Sequence, residues 1–338
     1  MSHAVAEMAR PPVDLTELRT LAMFEEHAAA VLPLDVFASA SGGPSVATLE
    51  RNRQALRHLA IEQRVLMNVK TVDTRAYFVG MTLPSPIIVS PMDGLPRFHP
   101  EGDLALARGA TRHGGMTVVA GGCTWPLETI GAAATGPLMF QLDWLGDRDW
   151  VSEKLQRVYA GGFKAVCLAV DADTQAGLTW DDVDWVRAQL ALPFGLKGIM
   201  TAPDARLALD RGVDFIWVSN HGGRRLDDGR ATIDALLEIA QVVRGRVPLI
   251  VDSGFRRGTD AMKALALGAT LVAFGRTVLW GLAAAGADGV QQVLQLLHDE
   301  LVINMKLAGR TVTSELPPDI IRRVDSAGFA QPIRLPGA

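Results

Sequence analysis

Cysteine is nearly absent. Cys123 and Cys167 are the only two in 338 residues, too few for a disulfide framework, and the expected location is a reducing cytoplasm. The opening MSHAVAEMARPP lacks an apolar core of signal-peptide length, which agrees with that expectation. Long hydrophobic runs are missing as well. Stretches such as residues 86–90 and 271–274 are strand-sized, far short of the ~20 apolar residues that cross a bilayer, so no membrane insertion is expected. No block of Lys and Arg interrupts a formal net charge of -4, which argues against a nucleic-acid partner. No metal is expected either. What the chain does have is 49% hydrophobic residues, enough to fill one large core.

Those residues are distributed in a repeated rhythm of short apolar runs, each followed by a helix-like stretch. Candidate strands end near Ser90, Val119, Gln141, Ala169, Lys197, Ser219, Asp252 and Gly275. Uniformly apolar strands are those buried on both faces, and eight of them alternating with amphipathic helices predict a (β/α)8 TIM barrel. Thr201 caps a helix over 203–209, with Pro203 in its first turn, and Thr259 opens another over 259–267. Ahead of the barrel, residues 14–30 and 44–59 read as helices. The expected organisation is therefore an N-terminal helical extension (1–75), the barrel (76–316) and a C-terminal tail (317–338), the part after Asp325 being rich in turn formers and poorly ordered.

The polar residues singled out below sit at strand ends on one face of this barrel, where such enzymes assemble their sites. FIWVSNHGGRRLD (215–227) empties an apolar strand into a turn carrying His221 and Arg224 side by side. Imidazole accepts a proton near neutral pH, and a guanidinium fork matches a carboxylate. The pairing suits chemistry at a carbon beside a carboxylate. Asp171 and Lys197 end strands 4 and 5. DSGFRRG from Asp252 follows strand 7 and Gly275-Arg276 follows strand 8, placing Gly254, Arg256, Gly275 and Arg276 where barrels commonly hold a phosphate. A phosphate-bearing cofactor is implied.

SNHGGRRLD, together with HPEGDLALARGA from His99, GFKAVCLAVD ending at Asp171, LKGIMTAPDARLA from Leu196 and DSGFRRGTDAMKALALGA from Asp252, closely resembles the FMN-dependent 2-hydroxy acid oxidases and dehydrogenases. The resemblance spans roughly residues 34–316. It implies that the phosphate belongs to FMN, bound by Gly254, Arg256, Gly275 and Arg276, with Asp252 near the ribityl chain. Pro91, Met92 and Asp93 lie by the flavin, Gln141 by its pyrimidine edge and Lys197 by N1 and O2. It further implies His221 as base, oriented by Asp171, and Arg224 as carboxylate anchor. His221 can take either the carbon or the hydroxyl proton, since both routes need the same base. A homotetramer is implied, while oxygen, a quinone and a protein carrier all stay open as the electron acceptor.

Departures cluster in the substrate pocket. Leu34 falls where the family has a substrate-binding tyrosine, and Asp143 replaces a second tyrosine. Asp93 stands where a small residue is usual, Ala169 replaces a threonine, and Ala120 or Gly121 replaces a serine. After Asp171, ADTQAGL runs into a helix over 179–190 without the family's long loop and second arginine. An open, acidic pocket would favour a bulkier or amine-bearing substrate. His99 reads as loop structure, Trp125 and Trp144 as rim, and Cys123 has no activating base. Two other readings compete with oxidation of a small 2-hydroxy acid: oxidation at a carbon bearing nitrogen, and flavin binding without catalysis.

Overall fold

In the computed structural model, which describes residues 13–42, 46–171, 177–325 and 328–333, eight parallel strands close into a barrel. They follow chain order: β1 (Ile87–Val89), β2 (Thr117–Val119), β3 (Leu138–Leu142), β4 (Ala165–Ala169), β5 (Phe194–Lys197), β6 (Phe215–Val218), β7 (Leu249–Val251) and β8 (Leu271–Phe274). Each ends within one residue of the position expected from sequence, and β8 pairs with β1 to close the ring, Ala273 opposite Ile88.

Side chains alternate along each strand, and this alternation makes the site. Ile88, Val118, Met139, Cys167, Trp217, Ile250 and Ala273 point inward and pack as one cluster. Two residues beyond Met139 comes Gln141, and two beyond Ile250 comes Asp252. On β5, Gly195 lies against Phe215, and a Cβ there would stand 2.4 Å from the Phe215 ring, so the inward place is glycine. Two residues further on is Lys197. The top inward layer is therefore polar above an apolar floor. The opposite faces of the strands (Ile87, Val89, Val166, Leu168, Leu196, Ile216, Val218) belong to the larger core under the surrounding helices.

The lower end is sealed by an antiparallel hairpin, Ala76–Phe78 with Met81–Leu83. Phe78 is 1% exposed and meets Phe215 edge-on at 5.1 Å. Burying such a ring contributes about 1.5–3 kcal/mol. Ligand access is left to the C-terminal end.

The N-terminal extension differs in detail from the sequence reading. Instead of one helix over 14–30, Asp14 closes a turn by accepting from Thr16 N (2.9 Å), and helix α1 (Leu21–Val31) starts only at the Thr20 cap. Pro33 opens a second helix, α2 (Leu34–Ser41), which went unrecognised, and α3 (Val46–Arg57) follows. The expected tail is corrected too: Ile321–Val324 pairs with Leu59–Ile61, and Ala330–Pro332 adds a third strand. Residues 326–327 and 334–338, which complete that tail, lie outside the described residues.

Around the barrel run α4 (Gly102–Arg112), α5 (Leu127–Ala133), α6 (Arg148–Ala160), α7 (Trp180–Ala188), α8 (Ala202–Asp210), α9 (Thr232–Val243), α10 (Gly258–Ala266) and α11 (Arg276–Leu307). The last is two limbs. At Ala285 (φ -152°) and Gly286 (φ +55°) the backbone leaves the helix, and the limbs fold together so closely that a Cβ on Gly281 would lie 2.5 Å from Gly289 O. His99 packs at this bend, with its Nδ1 accepting from Glu101 N (3.2 Å), the structural role expected of it.

Gly109 of α4 lies against the second limb, where a Cβ would be 2.3 Å from Ala287 O. Gly109→Val is expected to force the two helices apart and destabilise the fold by about 2–3 kcal/mol. A chemical-denaturation midpoint equal to that of the unsubstituted protein would show that α4 does not rest there.

Candidate active site

A cavity of about 360 Å³ opens at the C-terminal end of the barrel. The barrel strands and the loops after them bring Gln141, Lys197, His221, Arg224 and Asp252 together there, facing Pro91, Met92 and Asp93 from the loop after β1. Gly254, Arg256, Gly275 and Arg276 close one corner. A second cleft of about 430 Å³ lies near the hairpin at the opposite end, remote from these groups.

His221 is held by its turn. It has φ +57°, and Gly222 and Gly223 follow at +71° and +74°. Asn220 accepts from Gly223 N (3.0 Å), and Ser219 Oγ accepts from His221 N (3.1 Å). His221 Nδ1 lies 3.4 Å from Asp171 Oδ1, so Nε2 is the nitrogen left for a ligand. Burial opposes the charge on Asp171, but Lys197 and the His221 contact outweigh it and hold the carboxyl below its usual range. For Lys197, burial is likewise the largest effect and disfavours the cation, yet Asp171 and Asp252 together raise its pKa. Lys197 thus remains an ammonium, with Nζ 5.7 Å from the Trp217 ring centroid.

Asp252 carries this network to the next loop. It accepts from Ser90 Oγ (3.2 Å) and Ser253 Oγ (2.7 Å), and Ser253 Oγ accepts in turn from Gly222 N (2.9 Å). Behind the turn, Asn52 of α3 is 1% exposed and exchanges amide hydrogen bonds with Asn220: Asn52 Nδ2 to Asn220 Oδ1 (3.0 Å) and Asn220 Nδ2 to Asn52 Oδ1 (2.9 Å).

The arginine corner is built for an anion. Arg256 Nε and Nη2 are buried with no hydrogen-bond partner among the described residues. Burial and the nearby Arg53 push the Arg256 pKa down to about 10. Burial, then Arg256, Arg224 and Arg53, push Arg276 down to about 9. Guanidiniums give up a proton so reluctantly that such crowding marks a place that receives negative charge. Gly254 (φ +92°) runs so close to α3 that a Cβ would sit 2.9 Å from Asn52 Cβ, and Gly275 begins α11, whose N-terminal amides add positive potential.

Two residues assigned to the substrate pocket are not among those lining the cavity. Leu34 is 84% exposed at the start of α2, and the last turn of that helix instead presents Ser39 and Ala40. Their carbonyls accept from Arg224 Nη2 at 2.9 and 2.7 Å, and Arg276 Nε also donates to Ala40 O (2.9 Å). Asp143 is half-buried and turned sideways. It accepts from Gln141 Nε2 (2.9 and 3.1 Å) and Gly121 N (3.2 Å), leaving Gln141 Oε1 unpartnered. Trp144 packs on Trp185, centroids 5.8 Å apart, and neither it nor Trp125 lines the cavity. Burial raises the Cys123 thiol to about 11, so it is no nucleophile at neutral pH. The start of the shortened loop, residues 172–176, lies outside the described residues. Reading the sequence missed Ser39, Ala40, Ser90, Ser253 and Asn52; only Ser90 and Ser253, each next to a strand end, carried a positional signal.

The sequence profile described as FMN-dependent dehydrogenase matches residues 28–177 and 173–323. Glycolate oxidase 3 of Oryza sativa subsp. indica is 35% identical over 324 residues, covering 82% of this chain and 88% of its own. A peroxisomal (S)-2-hydroxyacid oxidase of Arabidopsis thaliana is 34% identical over 344 residues, covering 88% and 95%. A mandelate oxidase crystallised with (S)-2-phenylpropionate superposes with a TM-score of 0.83 at 38% identity, covering 87% of this chain and 96% of that one. The residues here fit FMN: the unpartnered Arg256 nitrogens and the close-packed glycines suit its phosphate, and the Lys197 ammonium suits an electron-rich ring edge.

Arg256→Ala is expected to weaken FMN binding at least about tenfold, since a buried charge-assisted pair is lost. Titration of apoprotein by flavin fluorescence checks this, and unchanged affinity would place the phosphate elsewhere.

Proposed function

The chain belongs to the FMN-dependent dehydrogenase family, and on that premise we propose that it oxidises 2-hydroxy acids to 2-oxo acids, with His221 as base and Arg224 as carboxylate anchor. One observation carries the reading: the imidazole held by Asp171 shares a cavity with a guanidinium that has donors to spare. FMN, when bound, supplies the two-electron acceptor.

Arg224 uses Nη2 on the carbonyls of α2, while its other nitrogens have no partner among the described residues and can meet a carboxylate. Anchored so, a substrate offers its second carbon to the neighbouring His221. Nε2 takes a proton, and the imidazolium that forms faces the Asp171 carboxylate through Nδ1, which stabilises it. Lys197, whose ammonium is favoured by Asp171 and Asp252, would hold the electron-rich edge of the ring and stabilise negative charge there. The proposal extends to a homotetramer in the cytoplasm; two unpaired cysteines agree with the location.

His221→Ala is expected to keep the yellow colour of bound FMN and to slow substrate-driven bleaching without air by about 10²-fold or more. Bleaching at the normal rate would remove His221 from the reaction. Arg224→Met should raise the KM for carboxylate substrates at least about tenfold, because a bidentate contact is lost; unaltered kinetics would mean that the carboxylate is held elsewhere.

A further inference from the structure

Two charges that line the cavity are not used by the proposed reaction, Asp93 and Arg97. Asp93, on the loop after β1, lines it, and its side chain is open toward the mouth. The carboxylate lies against Gly122, a glycine whose Cβ would stand 2.6 Å from Oδ1. It has no cationic partner among the described residues. Arg97, the cation on its own loop, turns instead to Asp35 at 3.3 Å. His221, on the same cavity, is close enough for the two groups to act on each other's charge. Asp143 does not share this role, since it is engaged by Gln141 and Gly121.

A carboxylate on the wall of a cavity with no cationic partner favours a ligand that brings positive charge and repels one that brings negative charge. The other ionisable groups that line the cavity are committed: Arg224 to the carboxylate, His221 to the proton at the second carbon, the Arg256 and Arg276 corner to phosphate, and Arg97 to Asp35. The remaining part of a 2-hydroxy acid is its side chain, and Asp93 is the charged group left to meet it. We propose that Asp93 is a specificity-determining residue that selects 2-hydroxy acids whose side chain ends in an ammonium group and disfavours those ending in a second carboxylate. This rests on the reading of the cavity as a 2-hydroxy acid site. Arg224 and Asp93 then act as a pair of opposite poles, reading a carboxylate at one end of the substrate and a cation at the other.

The test is an isosteric series at two chain lengths, added without air to the FMN-loaded protein. The shorter set is 4-amino-2-hydroxybutanoate, 2-hydroxypentanoate and 2-hydroxyglutarate; the longer is 5-amino-2-hydroxypentanoate, 2-hydroxyhexanoate and 2-hydroxyadipate. Affinity is read from the concentration dependence of the flavin spectral change, and reaction from the rate of bleaching. In at least one set the ammonium compound is expected to bind about tenfold or more tightly than its methyl isostere, with the dicarboxylate weakest. Asp93→Asn, which keeps shape and removes charge, should bring all three within about threefold while FMN content stays unchanged. Equal binding of ammonium and methyl compounds in the unsubstituted protein overturns the proposal, as does a preference that survives Asp93→Asn. If the Asn variant loses FMN, Asp93→Ser takes its place. Ordered binding with no bleaching by any compound would sustain the Asp93 assignment and refute the oxidation of 2-hydroxy acids. The two inferences therefore fail separately.

Discussion

A positive charge buried at the end of β5 organises the rest of the site. Lys197 is 3% exposed, and an ammonium at such depth survives only because Asp171 and Asp252 flank it in charge if not in direct contact. The two carboxylates then serve separate ends of the cavity. Asp171 faces His221, while Asp252 gathers the hydroxyls of Ser90 and Ser253 and, through Ser253, the amide of Gly222. The turn carrying the base is thus tied to the loop after β7 that carries the anion corner. Arrangements of this kind lose about 3–5 kcal/mol when one member is removed, because the charges left behind stay buried. Gly198 follows from the same crowding: the chain beyond Lys197 runs so close to Asp171 that a Cβ would lie 2.6 Å from the Asp171 Cβ.

The barrel alone does not complete the cavity. The last turn of α2 lines it and is held by residues that serve the ligand, while α3 packs behind the turn that carries His221. Arg224 and Arg276 both donate to the last carbonyls of α2, where the helix dipole is negative, so these guanidiniums meet partial negative charge from the chain itself. From α3, Asn52 fixes Asn220 from behind, and Thr48 Oγ1 donates to Leu226 O (2.8 Å) and accepts from Gly229 N (2.9 Å). The positive φ at His221 is supported by contacts from a segment some 170 residues earlier in the sequence.

That separation explains which features were legible in the sequence. Strand ends showed as apolar runs stopping at a polar residue, because a strand buried on both faces has no other pattern. Gln141, Lys197 and Asp252 were visible for the same reason. Residues from the extension were not, since a helix presents a different face with each step and nothing local says which face meets the barrel. Leu34 and Ser39 are five positions apart, which in an α-helix is about 140° of rotation and about 7.5 Å of rise. Choosing the wrong one moves a pocket residue into solvent. Asp143 failed differently: strand alternation sends it to the same side as Gln141, and the nearest donor to a carboxylate there is the Gln141 amide itself.

This capture has a consequence for the cofactor edge. A carboxylate only accepts, so the group of Gln141 facing Asp143 must be its NH₂, and the carbonyl oxygen is the atom left without a partner. Gln141 is then oriented as an acceptor by its neighbour rather than by a ligand. Asp143 also occupies the amide of Gly121, and Asp93 lies against the next residue, Gly122, so both carboxylates crowd this side of the cavity. The field across the cavity is thereby polarised: guanidiniums and a helix N-terminus at the phosphate corner, and a carboxylate and a free carbonyl at the other side. A ligand that bridges the two sides gains most when its own charges run the same way, negative toward the arginines and positive toward Asp93.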